Sequence, residues 1–96
     1  MSSKNAYVEI GQMIRSYREK KGMTQLDLSK ALGYETSQFV SLFERGLSKA
    51  PIEVLGRLVL ILGLPEKDFK EILFKDFQNE VNERLKIGKK SVNKAK

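Results

Sequence analysis

The sequence contains no cysteine and no histidine. Without cysteine there can be no disulfide framework and no thiolate ligand, which suits a reducing compartment such as the cytoplasm. The usual proton shuttle, thiol nucleophile and zinc ligands are therefore all missing. Acidic residues in the last third alternate with lysines, as on a solvated helix face, and no glycine-rich phosphate loop occurs. We expect no catalytic residue, no metal site and no cofactor.

Long apolar runs are also missing. The most hydrophobic stretch, Val54 to Leu64, includes Arg57 and is much shorter than the roughly 20 apolar residues that span a bilayer. The first ten residues, MSSKNAYVEI, lack the apolar segment of a signal peptide. These features predict a buried helix at 54–64 and no membrane partner.

Charge is distributed unevenly along the chain. Residues 1–50 carry a net charge of +3, residues 51–83 carry −3, and residues 84–96 carry the whole excess of +6. A basic front with an acidic back would orient the protein toward a polyanion. The C-terminal end lacks a sustained apolar pattern, which predicts a disordered basic tail at residues 88–96. Such a tail could be a solubilising end or an auxiliary nucleic-acid contact, and both interpretations stay open.

The most informative stretch is residues 24–46, TQLDLSKALGYETSQFVSLFERG. Thr24 is a hydroxyl N-cap with Asp27 three residues later, a variant of the capping box. An apolar face at helical spacing follows, formed by Leu28, Ala31 and Leu32. Gly33 then stands where a helix end often needs the left-handed backbone conformation. The pattern predicts a short helix that stops in a tight turn.

A second short helix follows that turn. Thr36 and Ser37 offer another N-cap, and Val40 and Phe43 point to one side. The other faces carry Ser37, Gln38, Ser41 and Leu42. Small polar groups and an amide at an exposed helix start are what direct reading of base edges requires. The two helices therefore form a helix-turn-helix.

The whole chain divides into five predicted helices. Ile10, Ile14 and Tyr17 form the buried stripe of the first, and Pro51 suits the first position of the fourth. Phe69, Ile72 and Leu73 should bring the fifth onto the core. The predicted bounds are Ala6–Lys20, Gln25–Leu32, Ser37–Glu44, Ile52–Leu62 and Pro65–Lys86.

This pattern resembles the phage-repressor/Cro family, the XRE-type helix-turn-helix domains of bacteria and their phages. The resemblance runs from Ile10 to Leu73 and implies an all-α, five-helix, lambda-repressor-like DNA-binding domain with an extended C-terminal helix. That domain would occupy residues 5–87, with the motif at 24–46 and the tail at 88–96. The landmarks are Ile10, Met13, Ile14 and Arg18 before KKGMTQ, then FERG at 43–46, LSKAP and IEVLGRLVLILGLP.

The resemblance also implies roles for single residues. Gln38 begins the recognition helix, where glutamine can bond adenine in two places, and Arg18 with Glu44 would form a largely buried ion pair. Arg45 has two interpretations, a phosphate contact or a cap on the C-terminus of its helix. The base-reading candidates are Ser37, Gln38, Ser41 and Leu42, and the phosphate-binding candidates are Gln25, Thr36, Arg45, Ser48 and Lys49.

Two departures from the family pattern affect these assignments. The segment from Gly33 to Val40 is one residue longer than the commonest spacing, so contacts transfer only to within about one position. Ser29 replaces the usual alanine between the motif helices, and its hydroxyl could return to the carbonyl four residues earlier. Phe39 could pack in the core with Phe43 or be turned outward by the longer turn; its spacing favours the core.

Helix five has an apolar stripe that outruns the predicted core. Phe74, Phe77, Val81 and Leu85 continue at spacings of three, four and four. A lone helix rarely exposes so much apolar surface without a partner. The stripe could fold back over helix one, but its length favours a symmetric dimer contact.

These observations predict a sequence-specific, double-stranded DNA-binding transcriptional regulator. The resemblance implies a Cro/C1-type repressor, bacterial or phage-encoded, acting in the cytoplasm as a homodimer on a pseudo-palindromic operator. The alternative is a protein-interaction or antitoxin-like module that binds a protein partner through helix five. The balanced charge of residues 1–83 favours that alternative.

Overall fold

The computed structural model describes residues 5–92. Among them it contains five α-helices and no strand, which confirms the all-α prediction. The predicted bounds of α1 and α4 are matched, and those of the other three helices shift at one or both ends. The helices are α1 (Ala6–Lys20), α2 (Gln25–Ala31), α3 (Gln38–Glu44), α4 (Ile52–Leu62) and α5 (Glu66–Lys90).

One apolar core lies between α1, the two motif helices and α4. Ile14 of α1, Leu28 of α2, Val40 of α3 and Leu58 of α4 are all buried in it. Gly11 lies where α1 crosses the end of α3, and a Cβ atom there would stand 2.7 Å from the carbonyl oxygen of Glu44. The absence of a side chain at Gly11 therefore sets how closely α1 approaches α3. No pattern in the sequence predicts this close approach.

The turn between the motif helices is fixed by backbone hydrogen bonds. Gly33 has φ +92°, and its N–H donates to the carbonyl of Lys30 at 3.0 Å, while the Tyr34 N–H donates to that of Ser29 at 2.9 Å. This pair of bonds is a Schellman motif, as the glycine predicted. Arg57 of α4 donates to the carbonyl of Leu32 at 2.6 Å. The C-terminal end of α2 is thereby held against α4.

The predicted apolar face of α2 is wrong at one position, because Ala31 is exposed. Ser29 is buried, as the family's alanine position implied. The Ser29 hydroxyl has no hydrogen-bond partner among the described residues, so the expected bond back to the preceding turn does not form. A buried hydroxyl without a partner costs free energy, because it gives up its bonds to water on folding.

Ser29→Ala should therefore stabilise the protein. We expect the free energy of unfolding to rise by about 1 kcal/mol or more, which raises Tm by about 4–8 °C per kcal/mol for a domain of this size. Ser16→Ala, at an exposed position of α1, is the matched control because it makes the same change in helix propensity without removing a buried hydroxyl. Thermal unfolding of the three proteins tests this. Equal gains in the two variants would contradict the assigned cost of the buried hydroxyl.

Helix α5 leaves the core after its first two turns. Phe69 is buried and Ile72 is half-buried, but every residue from Phe74 to Val92 is exposed. Phe77 is 65% exposed, so the stripe does not fold back over α1. None of the described helices is both long enough and apolar enough to cross a bilayer.

The C-terminal end differs from its prediction. Helix α5 continues through Gly88 to Lys90, so residues 88–90 are helical and the prediction of disorder is wrong for them. Two lysines, Lys89 and Lys90, lie in the last turn, where their charge is favourable beside the negative end of the helix dipole. The remaining part of the predicted tail, residues 93–96, lies outside the described residues.

Candidate nucleic-acid interface

Helix α3 has one face in the core and the opposite face toward solvent. Val40 and Phe43 are buried, as predicted, and they hold the helix in place. Because successive residues are about 100° apart around a helix, the opposite face carries the side chains that the sequence analysis assigned to base reading. Of these, Gln38 is exposed, and Ser41 and Leu42 are half-buried.

The start of α3 is capped by one of the two predicted hydroxyls. Thr36 Oγ1 accepts a hydrogen bond from the backbone N–H of Gln38 at 3.3 Å. Ser37 occupies the N-cap position, but its side chain makes no capping bond. The Ser37 hydroxyl is thus not used in capping, and the exposed Thr36 stands beside it at the helix entrance.

The start of α2 is capped as the sequence predicted. Thr24 and Asp27 form a reciprocal capping box, with both bonds at 2.9 Å. The hydrogen bond from the backbone N–H of Thr24 holds the pKa of the Asp27 carboxyl below its usual value. Gln25 follows as the first helical residue, where backbone N–H groups lack partners within the helix.

The side chain of Gln25 has a partner that the sequence analysis did not predict. Its amide Nε2 donates to Glu44 Oε1 at 2.9 Å. A glutamine amide carries two N–H donors, so one donor and the backbone N–H stay available to an anion. The hydrogen bond to Glu44 orients the remaining amide donor, because it fixes the Gln25 side chain against the end of α3.

Glu44 is also the partner of Arg18. Arg18 Nε donates to Glu44 Oε2 at 2.6 Å and Arg18 Nη2 donates to Glu44 Oε1 at 3.1 Å. Both residues are buried, and this is the two-pronged ion pair that the resemblance implied. Arg18 Nη1 also donates to the carbonyl of Met23 at 2.7 Å. The hydrogen bond with Glu44 raises the pKa of Arg18, so its charge is secure.

Arg45, Ser48 and Lys49 come directly after the recognition helix. Arg45 Nε donates to the carbonyl of Ser41 at 3.4 Å, which is the capping alternative for that residue. The ammonium of Lys49 lies 5.5 Å from the centre of the Tyr7 ring, a cation–π distance. Arg45 and Lys49 are exposed and Ser48 is half-buried. Two exposed cationic side chains, Arg45 and Lys49, therefore follow α3 directly in the chain.

Phe39 was expected in the core, and that prediction is wrong. Its side chain is 47% exposed. The ring centre lies 4.9 Å from that of Tyr34 and 6.3 Å from that of Phe43. The longer turn supplies Tyr34, whose ring occupies the inner side and leaves Phe39 facing outward next to Leu42. An aromatic residue directly after the helix-ending Gly33 was the available signal in the sequence.

The part of the chain that contains α2 and α3 is similar to a known protein family. A family model described as helix-turn-helix matches residues 14–69, which is more than half of the chain. The chain belongs to the Cro/C1-type (XRE) helix-turn-helix family. As a member of this family it is a DNA-binding transcription regulator. No curated protein and no solved structure matches the chain.

The family match covers most of the packed domain. The match begins at Ile14 and ends at Phe69, both of which are core residues. The motif, α4 and the second half of α1 lie within the match. The exposed stripe of α5 lies outside it, so membership of the family does not explain that stripe.

Proposed function

We propose that this helix-turn-helix protein is a sequence-specific regulator that binds double-stranded DNA as a homodimer, most simply as a repressor in the cytoplasm. The single observation that carries the proposal of DNA reading is the polar, solvent-facing side of α3, held outward by a buried opposite side. In this arrangement α3 enters the major groove and α2 crosses the backbone. A dimer of this kind reads two half-sites about 34 Å apart on a pseudo-palindromic operator.

Base reading would rest on Gln38 and the residues one turn later. Gln38 is exposed at the start of α3, where its amide can donate and accept in the plane of an adenine. Ser41 offers a hydroxyl that suits several bases, and Ser37 stands at the same entrance. Leu42, with Phe39 beside it, provides an apolar surface of the kind that contacts a thymine methyl group.

Phosphate contacts would surround that face. Gln25 presents its backbone N–H and one amide donor at the N-terminus of α2, where the helix dipole favours an anion. Thr36 and Ser48 supply hydroxyls on either side of α3. Lys49 and Arg45 add positive charge, which gives affinity for any sequence. The bond of Arg45 to the Ser41 carbonyl uses only one of its five N–H donors.

Separate substitutions should distinguish base reading from phosphate binding. Gln38→Ala should relax the preference at one base pair per half-site and cost about 1–3 kcal/mol for the preferred base there. Lys49→Ala should weaken binding to every sequence alike and reduce the salt slope by about one, because one fewer counterion is displaced. Selection from random duplexes, followed by titration at several salt concentrations, measures both effects.

The controls for this experiment come from the same chain. Lys75→Ala removes an exposed lysine of α5 and should leave both specificity and salt slope unchanged. A base preference that survives Gln38→Ala would show that α3 is not the reading helix. A two-fold symmetric selected motif would support the homodimer, whereas a single half-site would argue against it.

The apolar stripe of α5 carries the proposal of a homodimer. Phe77→Glu together with Val81→Glu should give a folded monomer, since both side chains are exposed and neither is part of the domain core. Loss of the second half-site contact should weaken operator binding by about 100-fold or more. Asn79→Glu with Asn82→Glu places the same charges on α5 outside the stripe and should preserve the dimer. Sedimentation and operator titration measure these outcomes.

A monomeric unmodified protein at high micromolar concentration would overturn the homodimer. The same stripe would then favour the second candidate function, an antitoxin-like module that covers a protein partner with α5. The balanced charge of residues 1–83 is the observation that supports this candidate.

A further inference from the structure

The exposed stripe of α5 faces away from the core. The core-facing direction is set by Phe69, and the mean direction of the stripe lies about 120° from it around the helix. The stripe comprises Phe74, Phe77, Val81 and Leu85, and Gly88 continues it, followed by Val92 just beyond the helix. No rotation of α5 could bury Phe69 and the stripe in one small domain. The stripe therefore requires a partner from outside the domain.

Helix α4 contributes to the same surface. Leu60 is 88% exposed and Ile52 is 61% exposed, and an apolar groove runs between them and Phe74. The stripe is thus continuous with exposed apolar side chains of the folded domain. A partner helix lying along α5 would end at this groove.

Charge differs between the two halves of α5. Residues 66–83 carry six acidic and three basic side chains, whereas residues 84–92 carry four basic side chains and no acidic one. Two such helices side by side in the same direction would set basic ends together and acidic starts together. In opposite directions, each basic end would lie beside part of the acidic half of the other helix, and the helix dipoles would also oppose each other favourably.

We propose that the occupant of the stripe is α5 of a second copy, packed antiparallel. This inference rests on the proposed homodimer and specifies its geometry. Antiparallel pairing centred near residue 83 sets Val81 against the second copy's Leu85 and Phe74 against the second copy's Val92. The same register places the Phe77 ring opposite the second copy's Gly88, where no Cβ atom obstructs it.

An ion pair on the edge of the stripe supports this direction. Arg84 Nη1 contacts Glu80 Oε2 at 3.0 Å within one helix. In the antiparallel register the second copy's Glu80 lies within about two residues, or about 3 Å, of Arg84 along the helix axis. The pair within each helix would thereby become a network of four alternating charges. Parallel packing about a two-fold axis would instead set this edge of one helix on the far side of the interface from the same edge of the other, so the network could not form.

The pairing direction also sets the distance between the two DNA-binding domains. Phe69, where each α5 leaves its core, lies fourteen residues from the centre of the pair. At 1.5 Å per residue the two domains are attached about 42 Å apart along the helix axis. Antiparallel pairing therefore places one domain at each end of the paired helices.

Spin labels on single cysteines test the direction without touching the stripe. The chain has no cysteine of its own, so Glu71→Cys, Gln78→Cys and Lys89→Cys each give one labelling position. All three positions are exposed and lie on the same face of α5. The offset between labels along the axis should be about 36 Å at residue 71, about 15 Å at residue 78 and about 18 Å at residue 89. Pulsed dipolar spectroscopy on the full chain measures the three distances.

A distance that falls from residue 71 to residue 78 and rises slightly at residue 89 supports antiparallel pairing. A dimer with nearly equal distances at all three positions would overturn the inference and leave the proposed homodimer intact. Absence of dipolar coupling, with sedimentation as a monomer, would overturn the homodimer and the inference together.

Discussion

Glu44→Ala should lower the free energy of unfolding by about 3–5 kcal/mol, because it leaves the buried charge of Arg18 without its partner. The Arg18 guanidinium makes two hydrogen bonds to this carboxylate, and both side chains are almost fully buried. The amide of Gln25 would lose its acceptor in the same variant. Such a loss is a large share of the total stability of a small domain. Urea unfolding followed by circular dichroism measures it.

The double variant Arg18→Met with Glu44→Leu is the matched control. It removes both charges and fills their volume with apolar groups, so much of the lost stability should return. A buried ion pair contributes little beyond a well-packed apolar substitute, and the main cost arises when one partner is missing. A double variant as unstable as Glu44→Ala would show that the pair, rather than the stranded charge, accounts for the loss.

Gly11→Ala should also be strongly destabilising, for a steric reason. A Cβ atom at this position would meet the backbone carbonyls of Phe43 and Glu44, with the latter oxygen at 2.7 Å. Backbone atoms cannot rotate away as the end of a side chain can, so α1 and α3 must separate. Overpacking of this kind costs about 1–3 kcal/mol and sometimes more. Chemical unfolding provides the value.

Gly56→Ala in α4 isolates the steric effect. Gly56 is also helical, but nothing lies within 4 Å of the position that its Cβ would occupy. Alanine should stabilise that helix by about 0.5–1 kcal/mol, because it loses less backbone freedom on folding than glycine does. Opposite signs for the two substitutions are therefore expected. A stabilising Gly11→Ala would show that the two helices can separate at little cost.

The helices of this fold were predictable because their signals are local. Gly33 stopped α2 where expected, and Val40 and Phe43 lie on the buried side of α3. The ion pair of Arg18 and Glu44 joins residues 26 positions apart, so spacing within one helix could not indicate it. The family resemblance supplied that contact. Membership of the family and the all-helical fold followed from the same landmarks.

The errors arose where tertiary contacts override local patterns. Phe39 has the spacing of a core residue, but the ring of Tyr34 takes the inner position. Ala31 has the spacing of the apolar face of α2 but is exposed, because the tertiary packing buries Leu28, Ser29 and Leu32 instead. Glycine lowers helix propensity by about 1 kcal/mol, yet α5 continues through Gly88, in a turn rich in lysine. The contact at Gly11 depends on a helix crossing, which no local pattern records.

The sharing of Glu44 between Arg18 and Gln25 has a consequence for DNA recognition. One carboxylate ties the end of α3 both to α1 and to the first residue of α2. The proposed phosphate contact at Gln25 and the proposed base contacts of α3 therefore belong to one rigid body with a fixed separation. An operator whose groove width does not suit that separation must deform, and the cost of deformation depends on its sequence. We therefore expect selectivity at base pairs that the protein never touches.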